Sequence, residues 1–137
     1  MAAGPKTKPT KASVPAFLRK AAGERLPDCH AVARLMAAAT GKKPVMWGDA
    51  IVGFDTNAVA YAGGRTEDWP LVAFSPRRSA LVLYMARRYP RYDALVRKLG
   101  KHKQAGGCLH IRSLADVDVD VLAEMIGEAV KARRTKS

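Results

Sequence analysis

The stretch that decides the fold is "WPLVAFSPRRSALVLYM", residues 69–85. Two apolar runs, WPLVAF (69–74) and ALVLYM (80–85), flank Ser75-Pro76-Arg77-Arg78. Proline presets the backbone for the second position of a tight turn. Two strands joined by so short a connection must be antiparallel, because a parallel pair needs a crossover of a dozen or more residues. Both runs are apolar at successive positions: Leu71, Ala73, Leu81 and Leu83 alternate with Val72, Phe74, Val82 and Tyr84. One sheet face is therefore expected under helices. The other is either covered as well or left for a ligand or a second copy of the chain.

Outward from this hairpin, DAIVGF (49–54) and AVAYA (58–62) are short apolar runs across Asp55-Thr56-Asn57, which reads as a second hairpin. GGRTED (63–68) reads as a loop, and CLHI (108–111) as a fifth strand. On the N-terminal side, Ser13 is placed to cap a helix opening at Val14-Pro15, with Val14, Phe17, Leu18 and Ala21 on one face. Asp28 is expected to cap a second helix with Val32, Leu35, Met36 and Ala39 inward, stopped by Thr40-Gly41. A short helix is expected around 91–98. A long one is expected from about Asp118 to Arg133, with Val119, Leu122, Met125, Ile126, Ala129 and Val130 inward. The sum is an α+β domain: two N-terminal helices, a five-stranded, mainly antiparallel sheet, a short helix before the last strand and a long C-terminal helix.

The chain of 137 residues reads as a single domain over 12–133, between a disordered basic tail (1–11) and a basic end (134–137). Its charge of +12 is concentrated at the ends. Lys6, Lys8, Lys11, Lys131, Arg133, Arg134 and Lys136 carry seven of the charges, leaving +5 over 12–130. That distribution, with no helix-turn-helix, zinc-finger or RNA-binding motif, argues against specific nucleic-acid recognition. No run of about 18 apolar residues offers a membrane span, and the start lacks an apolar signal core. Cys29 and Cys108 follow no CxxC spacing, so reduced thiols and a cytoplasmic location are expected.

Three groups of side chains draw a functional reading. In "LGKHKQAGGCLHI" (99–111), Lys101, His102 and Lys103 lie between glycine-flanked turns, and with Arg77 and Arg78 they make a candidate anion site. The Walker pattern itself fails, since no Lys-Ser follows Gly106 and the next element is a strand. Cys108 and His110 share a strand face, but two ligands fall short of a structural zinc site. Trp47, Asp49 and Tyr84 form a candidate pocket. Asp116, Asp120, Glu124 and Glu128 recur every four residues along the closing helix, a spacing that suits a hard cation held weakly. No nucleophile, base and orienting group are visible together, so a binding role is expected over catalysis.

Four blocks in order, TGKKPVMWGDAIVGF (40–54), WPLVAFSPRRSALVLYM (69–85), YDALVRKLGKHKQAGGCLHI (92–111) and LADVDVDVLAEMI (114–126), resemble the YdhG-like domain family. The resemblance spans about residues 13–130 and implies a five-stranded antiparallel α+β fold. Part of the family is described as frataxin-like intracellular iron chaperones. The resemblance therefore implies a small carrier that takes iron weakly, on an acidic helical ridge. It implies no catalytic residue. The chain departs from the family at His110, commonly tyrosine, at Pro27-Asp28-Cys29-His30, where Arg-Arg is common, and after VGF. Two alternatives stand beside the carrier: a module that binds an anionic partner or ligand, or pairs with its own copy through the sheet, and a small enzyme.

Overall fold

The computed structural model describes residues 9–60, 66–86, 89–105 and 108–135. Among the described residues, four α-helices, α1 (Val14–Ala21), α2 (Leu26–Thr40), α3 (Tyr92–Leu99) and α4 (Val119–Thr135), accompany eight strands. The strands are β1 (Pro44–Trp47), β2 (Ile51–Phe54), β3 (Asn57–Ala60), β4 (Thr66–Trp69), β5 (Val72–Pro76), β6 (Leu81–Tyr84), β7 (Lys103–Ala105) and β8 (Cys108–Ile111). Six of them form one antiparallel sheet in the order β1-β2-β5-β6-β8-β7. The fold is α+β, with a long C-terminal helix.

The deciding hairpin forms, but its turn lies two residues later than expected: β5 runs through Pro76, which stays in the ladder, and 77–80 make the connection. Phe74 pairs with Leu83 and Pro76 with Leu81, and the Arg77 amide donates to the Ala80 carbonyl at 2.9 Å. The second expected hairpin does not form. Asp55 takes a left-handed φ of 62°, and β2 pairs with β1 and β5 instead. β3 pairs with β4, where a loop was expected, as a separate two-stranded sheet. Tyr61 and Ala62 of the expected strand, and 63–65 of the expected loop, lie outside the described residues. With β4, β1 and β7 add three strands to the expected five; β1 and β7 are the two that extend the main sheet. Both are short and flanked by lysines, so neither shows a clear apolar alternation.

Helix ends follow sequence chemistry with one exception. Ser13 caps α1 by accepting from the Ala16 amide, and Gly41 closes α2 with φ 74°. Asp28 does not cap α2. The helix begins earlier, at Leu26, with Pro27 in its first turn, and the Asp28 carboxylate instead accepts from the Leu114 amide at 3.1 Å. At the N-terminus, residues 1–8 lie outside the described residues. The expected tail boundary at residue 11 needs correction, because Pro9 bridges to Trp47 and the Thr10 amide donates to Met46. A bare edge strand offers unpaired carbonyls, and the incoming chain takes one.

Strand register separates two faces. Met46, Val52, Phe54, Val72, Phe74, Leu81, Leu83, Leu109 and Ile111 face α2 and α4 and make the core with Val32, Met36, Leu122, Met125 and Ile126. On the far face, Gly53 and Ala73 lie in one row. An added methyl at Gly53 would stand 2.5 Å from the Trp47 indole and 2.8 Å from Pro70. Trp47 is 1% exposed and meets Trp69 edge-on at 5.9 Å. Gly53→Ala is thus expected to displace the indole and lower stability by about 1–3 kcal/mol, the usual cost of overpacking. Urea unfolding followed by tryptophan fluorescence reads it.

Cys29 is fully buried on α2, and burial is the first cause pushing its thiol up to about 11, with Asp28 adding and Arg25 opposing. A thiol in the unfolded chain ionises near 9. Between these values the unfolded chain binds fewer protons than the folded one, so stability falls as pH rises from about 9 toward 11. The shift corresponds to about 3 kcal/mol at full development. Urea midpoints at pH 8 and pH 10.5 should differ more in wild type than in Cys29→Ala.

Candidate anion-binding site

The basic loop after α3 is built by a glycine. Gly100 has φ 112° and ψ −151°, a region essentially reserved for glycine, and a Cβ there would stand 2.5 Å from the Asp116 carbonyl. This close approach lets the loop dock on the segment before α4. The Lys101 amide donates to Asp116 at 3.1 Å, the Asp118 amide donates to Leu99 at 2.7 Å, and Gly100 bridges to Val117. Lys101, His102 and Lys103 therefore leave a fixed backbone. His102 is half-buried, with Nδ1 2.8 Å from the Gly100 carbonyl. A carbonyl only accepts, so Nδ1 carries the proton.

A second anchor comes from the other end of the chain. Arg25, half-buried just before α2, donates through Nε to the Arg77 carbonyl at 3.3 Å and through Nη2 to Arg78 at 3.3 Å. Its Nη1 donates to the Arg112 carbonyl. One planar guanidinium thus ties the β5–β6 turn to the exit of β8. The Asp28 carboxylate, on the Leu114 amide, holds the same exit two residues further on.

These anchors surround a cavity of about 640 Å³ lined by Arg78, Lys101, His102, Lys103, His110 and Arg112. Ser79 and Ala80 contribute the turn, and Arg25 lies at its border. Among the described residues, Asp116 is the lone carboxylate of the lining. Among the described residues, none of Arg78, Lys101, Lys103 and Arg112 is ion-paired. Four permanent cations on three chain segments, held near one volume with one acid, make a focused positive potential. Such a site favours an anion more than the same charges spread over a surface would. The charged groups are exposed and meet salt screening, while their backbones are pre-positioned.

No family model, curated protein or solved structure matches this chain. The likeness to the YdhG-like family rests on the four sequence blocks alone.

Four of the five expected anion residues, Arg78, Lys101, His102 and Lys103, line the cavity. Arg77 does not. Its Nε donates to the buried Ser75 hydroxyl at 3.1 Å and its Nη2 to the Tyr84 hydroxyl at 3.1 Å, on the far sheet face. Ser75 in turn donates to the Ala50 carbonyl at 2.6 Å. Trp47, Asp49 and Tyr84 take separate roles. Trp47 is packed on Gly53 and borders a smaller cavity with Lys42, Lys43 and Thr56, Asp49 is exposed in the β1–β2 turn, and Tyr84 holds Arg77.

The acidic row is not one surface. Asp118 caps α4 by accepting from the Asp120 and Val121 amides at 3.0 and 3.2 Å. The helix therefore starts after Asp116, which belongs to a one-turn helix and faces the basic cavity. Asp120 sits in the first turn of α4. Glu124 and Glu128 both bind Arg91, at 2.6 and 3.1 Å. Among the described residues, no group of three or more His, Cys, Asp or Glu is placed to hold a metal ion.

His110 and Arg112 were not part of the expected anion set; His110 is the cross-strand neighbour of Lys103, and Arg112 directly follows the end of β8. Arg25 had no sequence signal, since its partners lie 52 to 87 positions away. No described helix is long and apolar enough to cross a membrane.

Proposed function

We propose that this protein is a binding module for an anionic ligand, held in the cavity between the β5–β6 turn, the loop after α3 and the exit of β8. The observation that carries this reading is the convergence of Arg78, Lys101, Lys103 and Arg112 on one volume without ion-pair partners. An unpartnered cation cluster repels itself, and a bound anion relieves that repulsion while forming charge-assisted hydrogen bonds. His102 and His110 add ring nitrogens that donate once protonated.

The test is thermal unfolding with inorganic phosphate at constant ionic strength. Phosphate at ten times its dissociation constant is expected to stabilise the fold by about 1.4 kcal/mol, a rise of roughly 3–6 °C. Lys101→Ala/Lys103→Ala/Arg112→Gln should abolish the rise. An equal rise in the variant would assign the effect to the basic ends and refute the site.

A further inference from the structure

Resting on that reading, we infer that the ligand is an oligophosphate, with two or more linked phosphate groups, rather than a single small anion. Three observations point this way. The first is charge: Arg78, Lys101, Lys103 and Arg112 face one carboxylate, Asp116, which is more positive charge than one phosphate dianion neutralises. The second is size. At about 640 Å³ the cavity falls in the range of sites that enclose whole organic ligands, about 300–1,000 Å³. The third is continuity. A second cavity, of about 470 Å³, shares Arg25, Arg78 and Arg112 with the first.

Arg78 and Arg112 thus stand on a ridge between two basins. Arg25 engages its donors on the carbonyls of both ridge residues, so the ridge backbones are fixed while their side chains are free to reach either side. A single phosphate uses one basin. A chain of phosphates crosses the ridge and uses the forked donors of both arginines, which suit neighbouring phosphate oxygens. Glu24 and Asp28 line the second basin together with Arg77, and Asp28 is already bonded to the Leu114 amide. Two carboxylates in the second basin, against none but Asp116 in the first, favour a short oligophosphate over an extended polyanion.

The test is calorimetric titration at 150 mM salt with phosphate, pyrophosphate and tripolyphosphate. Wild type should bind tripolyphosphate at least 30-fold more tightly than phosphate, with pyrophosphate between. Arg78→Gln/Arg112→Gln should weaken tripolyphosphate far more than phosphate, compressing that ratio below fivefold. Lys101→Ala/Lys103→Ala should weaken all three. Both pairs are exposed, and melting curves confirm that the variants fold. A nucleoside diphosphate, read against pyrophosphate, separates a nucleotide from an inorganic source, and tighter binding than phosphate by either supports the inference. Phosphate binding with a flat series overturns the oligophosphate inference and leaves the anion site standing. Binding of none of the three overturns both. A ratio unchanged in Arg78→Gln/Arg112→Gln, or a single-stranded RNA that displaces tripolyphosphate more strongly than a nucleoside diphosphate does, overturns the inference as well.

Discussion

Gly100→Ala is expected to lower stability by about 2–4 kcal/mol and to weaken phosphate binding at least tenfold. Two costs add. The backbone at φ 112° and ψ −151° is strained for any residue with a Cβ, at about 1–3 kcal/mol. The new methyl also meets the Asp116 carbonyl at 2.5 Å, a backbone atom with little room to move. Relief requires that the loop lift from the 116–118 segment, which breaks the Lys101–Asp116 and Asp118–Leu99 bonds. Because Lys101, His102 and Lys103 leave from that loop, the cavity loses its geometry together with the stability. Gly41→Ala is the matched control. It is also left-handed, with open space around it and no part in the cavity, so it should cost stability alone. Urea unfolding and phosphate calorimetry on both variants separate the two effects.

Arg25→Gln is expected to reduce phosphate affinity about tenfold or more, and stability by about 1–3 kcal/mol. Arg25 binds carbonyls of three residues on two connections, and hydrogen bonds from a charged donor contribute about 1.5–3 kcal/mol each where they are shielded from water. Its partial exposure lowers the total. The larger consequence is for the ligand. With the clasp gone, only the β6–β8 ladder, ending at Leu81 and Ile111, links the β5–β6 turn to the exit of β8, and binding must itself order Arg78 and Arg112. Arg25→Lys keeps the charge and loses the three-way fork, so it should behave like Arg25→Gln. Full affinity in Arg25→Lys would mean that charge at the border of the cavity suffices.

The legible parts of the fold were those set by local chemistry. The two apolar runs with a short break between them specified the central hairpin, though Pro76 ends β5 and does not sit in the turn, and Ser13, Gly41 and the spacing of Leu122, Met125, Ile126 and Ala129 specified helices. What misled was chemistry of the same kind used differently. Asp55-Thr56-Asn57 has turn composition, yet it turns the chain out of the sheet and into a separate pair of strands. Asp28 has capping chemistry, yet its partner is an amide 86 positions on. The regular spacing of Asp116, Asp120, Glu124 and Glu128 suggested a helical ridge, but a cap at Asp118 interrupts the row and Arg91 occupies half of it. The candidate anion residues were legible because lysines and arginines in glycine and proline turns stay at the surface. Their convergence was not legible, because it depends on β8 pairing between β6 and β7 and on a long-range clasp by Arg25.

On the proposed function, one cavity, and not the basic ends, binds the anion. Two-dimensional 1H–15N NMR of the full chain, titrated with pyrophosphate at 150 mM salt, tests it residue by residue. Saturable shifts at the amides of 78–80, 101–103 and 110–112, following one binding curve, are the predicted result. Shifts confined to 1–11 and 131–137, or linear changes that never saturate, would contradict it.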